Sequence, residues 1–296
     1  MTAPLIRPAT EADLSAMGQV TAQAYYEVDV ATFHRSWPAP VLRPPGRHSF
    51  WVERTRHVLR TDPGGCWVAD VDGEVVGCAV SRERELMWIL SSFAVLPGHQ
   101  GTGIGTHLLV AAMHHGRGCL RAMFASSADP RAVRHYRRAG FTLHPQMFLR
   151  GVVDRAAIPV VDRVREGSAG DIDLMNSVDR STRGAAHGSD HELLLGQFRL
   201  VVTDRSTGSG YAYADVATGQ PVLVAATNRR TATDLMWECL AAGAEGDEVE
   251  VHHITSVNDW ALDVGLEARL DVHQSGYLAL RHMVPPVPYL HHGSLL

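Results

Sequence analysis

Leu90-Ser91-Ser92-Phe93-Ala94-Val95-Leu96, then Pro97-Gly98-His99, then Gln100-Gly101-Thr102-Gly103-Ile104-Gly105-Thr106, then an apolar run from Leu108 to His115 closed by Gly116 and Gly118: this stretch decides how the chain is read. Its first part is a short apolar run that suits a buried strand, and Pro97-Gly98 breaks it. Its last part has helical spacing and a glycine stop. Between them glycines alternate at 101, 103 and 105, where the missing Cβ lets a ligand approach the main chain. The unpaired N–H groups that open the helix point at the same place, and the helix dipole favours negative charge there. The segment therefore predicts a phosphate cradle between a strand and a helix. It is not a dinucleotide fingerprint, which needs GxGxxG, nor a Walker A loop, since no Gly-Lys-Ser/Thr follows. A glycine-rich turn without a ligand is the plain alternative.

Around this stretch lies a chain of 296 residues, enough for two domains with a core each. It is 45% hydrophobic and 20% charged with a formal net charge of −5, which offers no general attraction to nucleic acid or to anionic membranes. Cys66, Cys78, Cys119 and Cys239 form no CxxC pair, so a reduced, cytoplasmic setting is expected. Met1-Thr2-Ala3-Pro4 lacks the basic-then-apolar build of a signal peptide, and no apolar run approaches the roughly 20 residues of a membrane span.

Outward from the cradle the elements alternate. Leu5-Ile6-Arg7 reads as a strand. Thr10 caps a helix over Ala12 to Glu27, buried through Leu14, Met17, Val20, Thr21, Ala24 and Tyr25. Val30 to Gly46, with Phe33, Trp37 and four prolines, reads as an irregular pocket wall, and Ser49 to Leu59 as a helix. Cys66–Val71 and Glu74–Val80 flank Asp72-Gly73, a hairpin signal. Leu86 to Leu96 is the next strand. Leu120 to Ala125 is another, and Asp129-Pro130 starts a helix that ends at Gly140. Phe141-Thr142-Leu143 and Met147 to Val153 close the half as strands, and Arg155 to Pro159 is a linker.

Beyond the linker the opening repeats. Ile6-Arg7…Asp13-Leu14…Met17 matches Val164-Arg165…Asp171-Ile172…Met175 at a constant offset, and the order of elements recurs through a strand at Tyr277–Met283. The chain thus reads as two copies of one α/β domain, 1–154 and 160–296.

Three features of the first half together resemble the GCN5-related N-acetyltransferase (GNAT) family: the Gln-x-x-Gly-x-Gly loop Gln100 to Gly105, the helix end Tyr136-Arg137-Arg138-Ala139-Gly140-Phe141, and the order strand, two helices, hairpin, strand, loop, helix, strand, helix, strand. The whole chain resembles a tandem member of the family, similar in plan to mycothiol-synthase-like and Eis-type proteins. The resemblance implies a tandem acyl-CoA N-acyltransferase fold, with a mixed central sheet flanked by helices in each half. It implies that Gln100, Gly101, Thr102, Gly103, Ile104, Gly105 and Thr106 hold the pyrophosphate of acetyl-CoA, and that the strand at Phe93 and Val95 pairs with its pantetheine arm. It places Tyr136 as the proton donor to the leaving thiolate, its alternative being a core aromatic, and the Val95 N–H on the thioester carbonyl.

Acyl transfer needs a neutral amine, and deprotonating an amine of pKa about 10.4 at neutral pH costs roughly 4–5 kcal/mol. The family's glutamate on the fourth strand has no counterpart in Trp88-Ile89-Leu90. Glu27, Asp29 and Glu85 read as solvated carboxylates, and Ser91 and Ser92 as a water chain or as main-chain partners, so no base is assigned. Asp129 stands where the family often has an asparagine and reads equally as a helix cap.

The second half is degenerate at both motifs, with Thr227-Asn228-Arg229-Arg230-Thr231-Ala232 for the loop and Trp260-Ala261 near the tyrosine position. It is expected to shape the acceptor pocket or a subunit interface. The tail from Pro285 to Leu296 is stiff and apolar enough to dock. By resemblance to Eis-type enzymes the Leu296 carboxylate, His291 or His292 could be the missing base. The pairs His114-His115, His252-His253 and His291-His292 point in different directions within each pair, so no metal is expected. The expected activity is acetyl-CoA-dependent N-acetylation of a small-molecule amine in the first domain, with a homodimer possible. The rivals are a non-catalytic acyl-CoA-binding regulator and an enzyme acting on another acyl-CoA.

Overall fold

The structure, a computed structural model, describes residues 3–34, 37, 39–161 and 163–296. The chain divides into two compact units, Met1–Gly140 and Phe141–Leu296.

In the first unit β1 (Leu5–Pro8) leads through a 3-10 turn (Glu11–Asp13) into α1 (Leu14–Thr32). Then come α2 (Pro45–Thr61), β2 (Cys66–Val71), β3 (Glu74–Arg84), β4 (Met87–Val95), α3 (Ile104–His115), β5 (Arg121–Ser126) and α4 (Pro130–Arg138). The strands lie in the order β1-β2-β3-β4-β5, antiparallel up to β4, with β5 parallel to β4. The two faces of β3 take different helices because successive side chains point to opposite sides. Cys78 and Val80 join Met17, Val20 and Ala24 of α1 and Trp51 and Val58 of α2 in one core. On the other face α3 comes so close that a Cβ on Gly77 would stand 2.9 Å from Leu108, and Ser81 Oγ donates to Ala112 O at 3.3 Å.

Helix α1 runs to Thr32 rather than to Glu27, and α2 starts at Pro45, a residue whose fixed φ suits a first turn. The irregular wall shrinks accordingly to residues 33–44, of which Arg35, Ser36 and Pro38 lie outside the described residues.

The second unit opens with β6 (Thr142–Val152), a single strand where the sequence predicts two short ones. The reason is pairing. β6 is antiparallel to β12 (Asp271–Arg281) and to β11 (Glu248–Thr255), with a register shift in each ladder, and the β12 ladder continues across Pro145, which lies opposite Tyr277. The division between units therefore falls at Gly140, earlier than the linker Arg155–Pro159. A second sheet follows the order β13-β10-β9-β8-β7, built from β7 (Arg165–Glu166), β8 (Arg199–Arg205), β9 (Gly208–Ala214), β10 (Pro221–Ala226) and β13 (Tyr289–Leu290). Its helices are α5 (Ile172–Thr182), α6 (Asp190–Leu195), α7 (Arg229–Ala242) and α8 (Asp259–Glu267).

The repeat is visible atom by atom. Arg7 grips both oxygens of Asp13 at 2.9 Å, and Asp13 accepts the Thr10 N–H at 2.8 Å. In the second unit Arg165 grips Asp171 at 2.6 and 3.2 Å, and Asp171 accepts the Ser168 N–H at 2.8 Å. Each clamp closes a capping box over a 3-10 turn that launches a helix. Among the described residues no helix is long and apolar enough to cross a membrane.

Candidate active site

The site begins with an extra residue. Val80 pairs with Ser92 but Ser81 with Leu90, so Ser91 bulges from β4. A bulge bends its strand. Strand β4 stays in register with β5 only over Met87–Ile89 against Arg121–Met123, although the strands run on to Val95 and Ser126. Beyond the bulge the sheet is open. Leu96 N–H donates to Val76 O at 2.8 Å, so by alternation the N–H groups of Val95 and Phe93 turn to the open edge. Phe93 N–H finds the Tyr25 hydroxyl at 3.3 Å.

The glycine loop closes the end of this gap. Gly98, Gly101 and Gly103 have φ of +86°, +80° and +93°, and a Cβ on Gly101 would meet nothing within 4 Å. Gly103 is the N-cap of α3 and brings no side chain to it, so the first N–H groups of the helix stay open. The two polar side chains of the loop serve the loop itself. Gln100 Nε2 donates to Val95 O at 2.9 Å, and Thr102 Oγ1 to His99 O at 2.7 Å. Gly105 lies against β4, where a Cβ would stand 3.5 Å from Phe93. An open main-chain cradle beside an unpaired strand edge fits the pyrophosphate and the amide-bearing arm of acetyl-CoA.

Tyr136, on α4, packs at 4.5 Å between ring centroids from Phe124 of β5 and 6.2 Å from Phe93 of β4. It bridges the two strands where they part. Burial raises its phenol above the ordinary range, with Tyr25 and Asp129 adding to the effect. Its hydroxyl is thus protonated at neutral pH. Asp129 caps α4 by accepting the Arg131 N–H at 2.8 Å and pairs with the Arg131 guanidinium, which accounts for its place in the sequence.

The sequence predicts a pocket wall at Val30–Gly46 but does not single out the polar residues that face this gap. Trp51 Nε1 donates to Ser92 Oγ at 3.3 Å. The Arg43 guanidinium lies 5.8 Å from the Tyr25 ring and 5.5 Å from the Trp51 ring, and donates to Gly18 O and Thr21 Oγ1 at 3.2 and 3.1 Å. Arg54 is one helical turn beyond Trp51, on the face that buries Trp51, Thr55 and Val58. Burial draws it down to about 10, and it stays cationic at neutral pH. An arginine within an apolar helical stripe was the signal available.

Of the carboxylates weighed as a base, Glu85 sits in the turn before β4, at the closed end of the strand. Glu27 and Asp29 are exposed on α1, and partial burial raises the Asp29 carboxyl above its ordinary range.

In the second unit the equivalent places are filled by the chain itself. Asn228 caps α7 by accepting the Thr231 N–H at 2.9 Å, and Arg229 pairs with Asp259. The edge of β10 is taken by β13, with Val224 opposite Leu290 and Ala225 opposite Tyr289. Trp260 donates to Asn258 Oδ1 at 3.0 Å, and Asn258 latches the tail through Tyr289 N–H and Pro286 O at 2.9 and 3.0 Å. The tail docks, as its apolar sequence predicts. Leu295 and Leu296 are buried, Arg183 donates to the Leu296 oxygen, and His291 is buried against Gln146. These groups complete the second unit's core.

Asp179, His187 and His191 are the one His/Asp cluster with metal-ligand spacing among the described residues. Asp179 Oδ2 already accepts from His187 N–H and from ring nitrogens of His187 and His191 at 3.0, 2.8 and 3.2 Å, and Tyr211 donates to Oδ1 at 2.5 Å. The carboxylate is saturated by hydrogen bonds, the usual state of a buried one.

Residues 23–141 match the acetyltransferase (GNAT) family. Among curated proteins no sequence matches the chain. Among solved structures it is similar to a candidate acetyltransferase from Pyrococcus horikoshii, at 19% identity and TM-score 0.75 over 100% of this chain and 96% of that one. It is also similar to GCN5-related N-acetyltransferases from Kribbella flavida (16% identity, TM-score 0.63, 94% and 71% covered) and Sphaerobacter thermophilus (16%, 0.59, 94% and 95%). These likenesses span both units, so the tandem fold is shared along the chain. With residues 23–141 matching that family, this chain carries a GNAT acetyltransferase domain, the kind of domain that uses acetyl-CoA.

Proposed function

We propose that the first unit transfers the acetyl group of acetyl-CoA to the amine of a small molecule bound between β4 and the wall made by α1 and α2. The observation that supports this reading is convergence at one opening in the sheet: the Val95 N–H edge, the main-chain cradle of residues 101–106 and the Tyr136 ring, packed on Phe93 and Phe124, lie where β4 and β5 part. When bound, acetyl-CoA supplies a thioester carbon. The open N–H groups of Gly101 to Thr106 hold the pyrophosphate, and Phe93 and Val95 line the arm. Gln100 acts by tying the loop to Val95. The Val95 N–H meets the thioester oxygen as charge develops on it. Tyr136, kept protonated by burial, gives its proton to the departing sulfur. The second unit, whose cradle and strand edge are filled, takes no part in acetyl-CoA binding.

The test is to incubate the protein with acetyl-CoA and a panel of amines and to follow thiol release. Turnover with acetylated amine as product supports the reading. Acetyl-CoA binding without turnover on any amine turns it towards a sensor of acyl-CoA.

A further inference from the structure

Resting on that reading, we infer that the acceptor is an amine that also carries an anionic group, held by Arg43 and Arg54. Arg43 stands over the Tyr25 and Trp51 rings, whose polar atoms reach Phe93 and Ser92 of β4, and Arg54 follows Trp51 by one turn of α2. Arg43 is fixed over Tyr25 and Trp51, and its bonds go to a carbonyl and a hydroxyl. Arg54 shares the buried face of α2 with Trp51, whose indole reaches Ser92. Among the described residues no carboxylate forms an ion pair with either. The clamps elsewhere in the molecule show the contrast: Arg7, Arg84, Arg150, Arg165 and Arg199 all hold an aspartate or glutamate. Two partly desolvated cations on one wall, with no acid paired to either, repel each other. A carboxylate or phosphate on the acceptor removes that repulsion and accepts from both, in the geometry a guanidinium prefers.

The same pair bears on the missing base. A cationic wall disfavours a neighbouring ammonium, so the acceptor amine loses its proton more easily there than in water. The nitrogen then bonds to the acetyl carbon as the carbon–sulfur bond breaks. The sulfur takes the Tyr136 proton, and the proton released from nitrogen passes through water to restore the phenol.

The experiment uses the full chain, with thiol release measured on matched acceptors: amino acids, their primary amides and the corresponding phosphate-bearing amines. The wild type is expected to use one anionic class with kcat/KM at least about tenfold above its neutral counterpart. Arg54→Gln should remove that preference by lowering kcat/KM for the anionic acceptor far more than for its neutral counterpart. Arg54→Lys should restore part of it, and acetyl-CoA affinity should not move. Equal use of amide and acid by the wild type, or equal loss on both in Arg54→Gln, overturns the inference while leaving acetyl transfer standing. If no amine turns over, acetyl transfer itself is in question. The anion site is then read by calorimetry with CoA present, using N-acetyl amino acids against their amides. Tighter binding of the acids that Arg54→Gln abolishes upholds it, and no difference sinks it.

Discussion

Tyr136 is held by the edges of Phe124 and Phe93, so removing its oxygen leaves the packing in place. Tyr136→Phe is expected to lower kcat by about 100-fold with acetyl-CoA affinity nearly unchanged, as measured by steady-state kinetics and calorimetry. An unchanged kcat would take Tyr136 out of the reaction. Gly103 turns the chain with φ +93° and leaves the N-terminus of α3 without a side chain. Gly103→Ala forces a Cβ into left-handed backbone and should cost about 1–2 kcal/mol in denaturant unfolding, with weaker acetyl-CoA binding because the cradle must reshape. Gly103 and Tyr136 were legible because a motif carries them. Tyr25 and Arg54 were not, because their meaning comes from long-range contact. Tyr25 matters through Phe93, and Arg54 through its having no acid beside it, a fact that only the folded chain can show.

The paired clamps bring sequence and structure closest together, since one short pattern predicts the same turn twice and the same bonds appear in both copies. Their surroundings differ. Arg7 draws Asp13 down to about 2 and keeps 31% of its side chain in solvent, whereas Arg165 keeps 56%. Asp13→Asn should therefore cost about 1–2 kcal/mol and Asp171→Asn less, solvent screening being the difference. A native carboxyl held below its unfolded range stabilises above pH about 4, and the gain fades as pH falls towards 2. The gap between the two variants in chemical unfolding should close over that window. Element identities were readable from periodicity, while several ends were not. Helix α1 outruns its apolar stripe to Thr32, and β6 is one strand because β11 and β12 span it, partners far away in sequence.

Two buried imidazoles of the second unit, His253 and His291, stack at 4.1 Å, and Gln146 donates to the His291 ring. Burial lowers both below the ordinary histidine range, His291 to about 4. A group neutral in the fold but protonated when unfolded withdraws stability as pH falls from 6.5 towards 4. His291 alone accounts for about 3 kcal/mol across that interval. Thermal unfolding at pH 7, 5.5 and 4.5 should show the loss, and His291→Gln should flatten it. Gly293 to Leu296 carry apolar mass into the same unit, so Leu295→Ala is expected to cost about 2–4 kcal/mol. The two-copy plan was visible in the sequence, but the way the second copy is closed was not, because β13 and Asn258 meet β10 only through folding. That closure has a thermodynamic consequence. Strand β13 is in effect a ligand covalently tethered to its own binding edge, present at a high and constant effective concentration. By the proposed function, the first unit, whose edge is open, should gain stability with the logarithm of the acetyl-CoA supplied. The second has its ligand built in and should gain none. Hydrogen exchange with and without acetyl-CoA would then slow in β4 and α3 and stay level in β10 and α7, so that one chain carries both a cofactor-responsive copy of the fold and a copy indifferent to it.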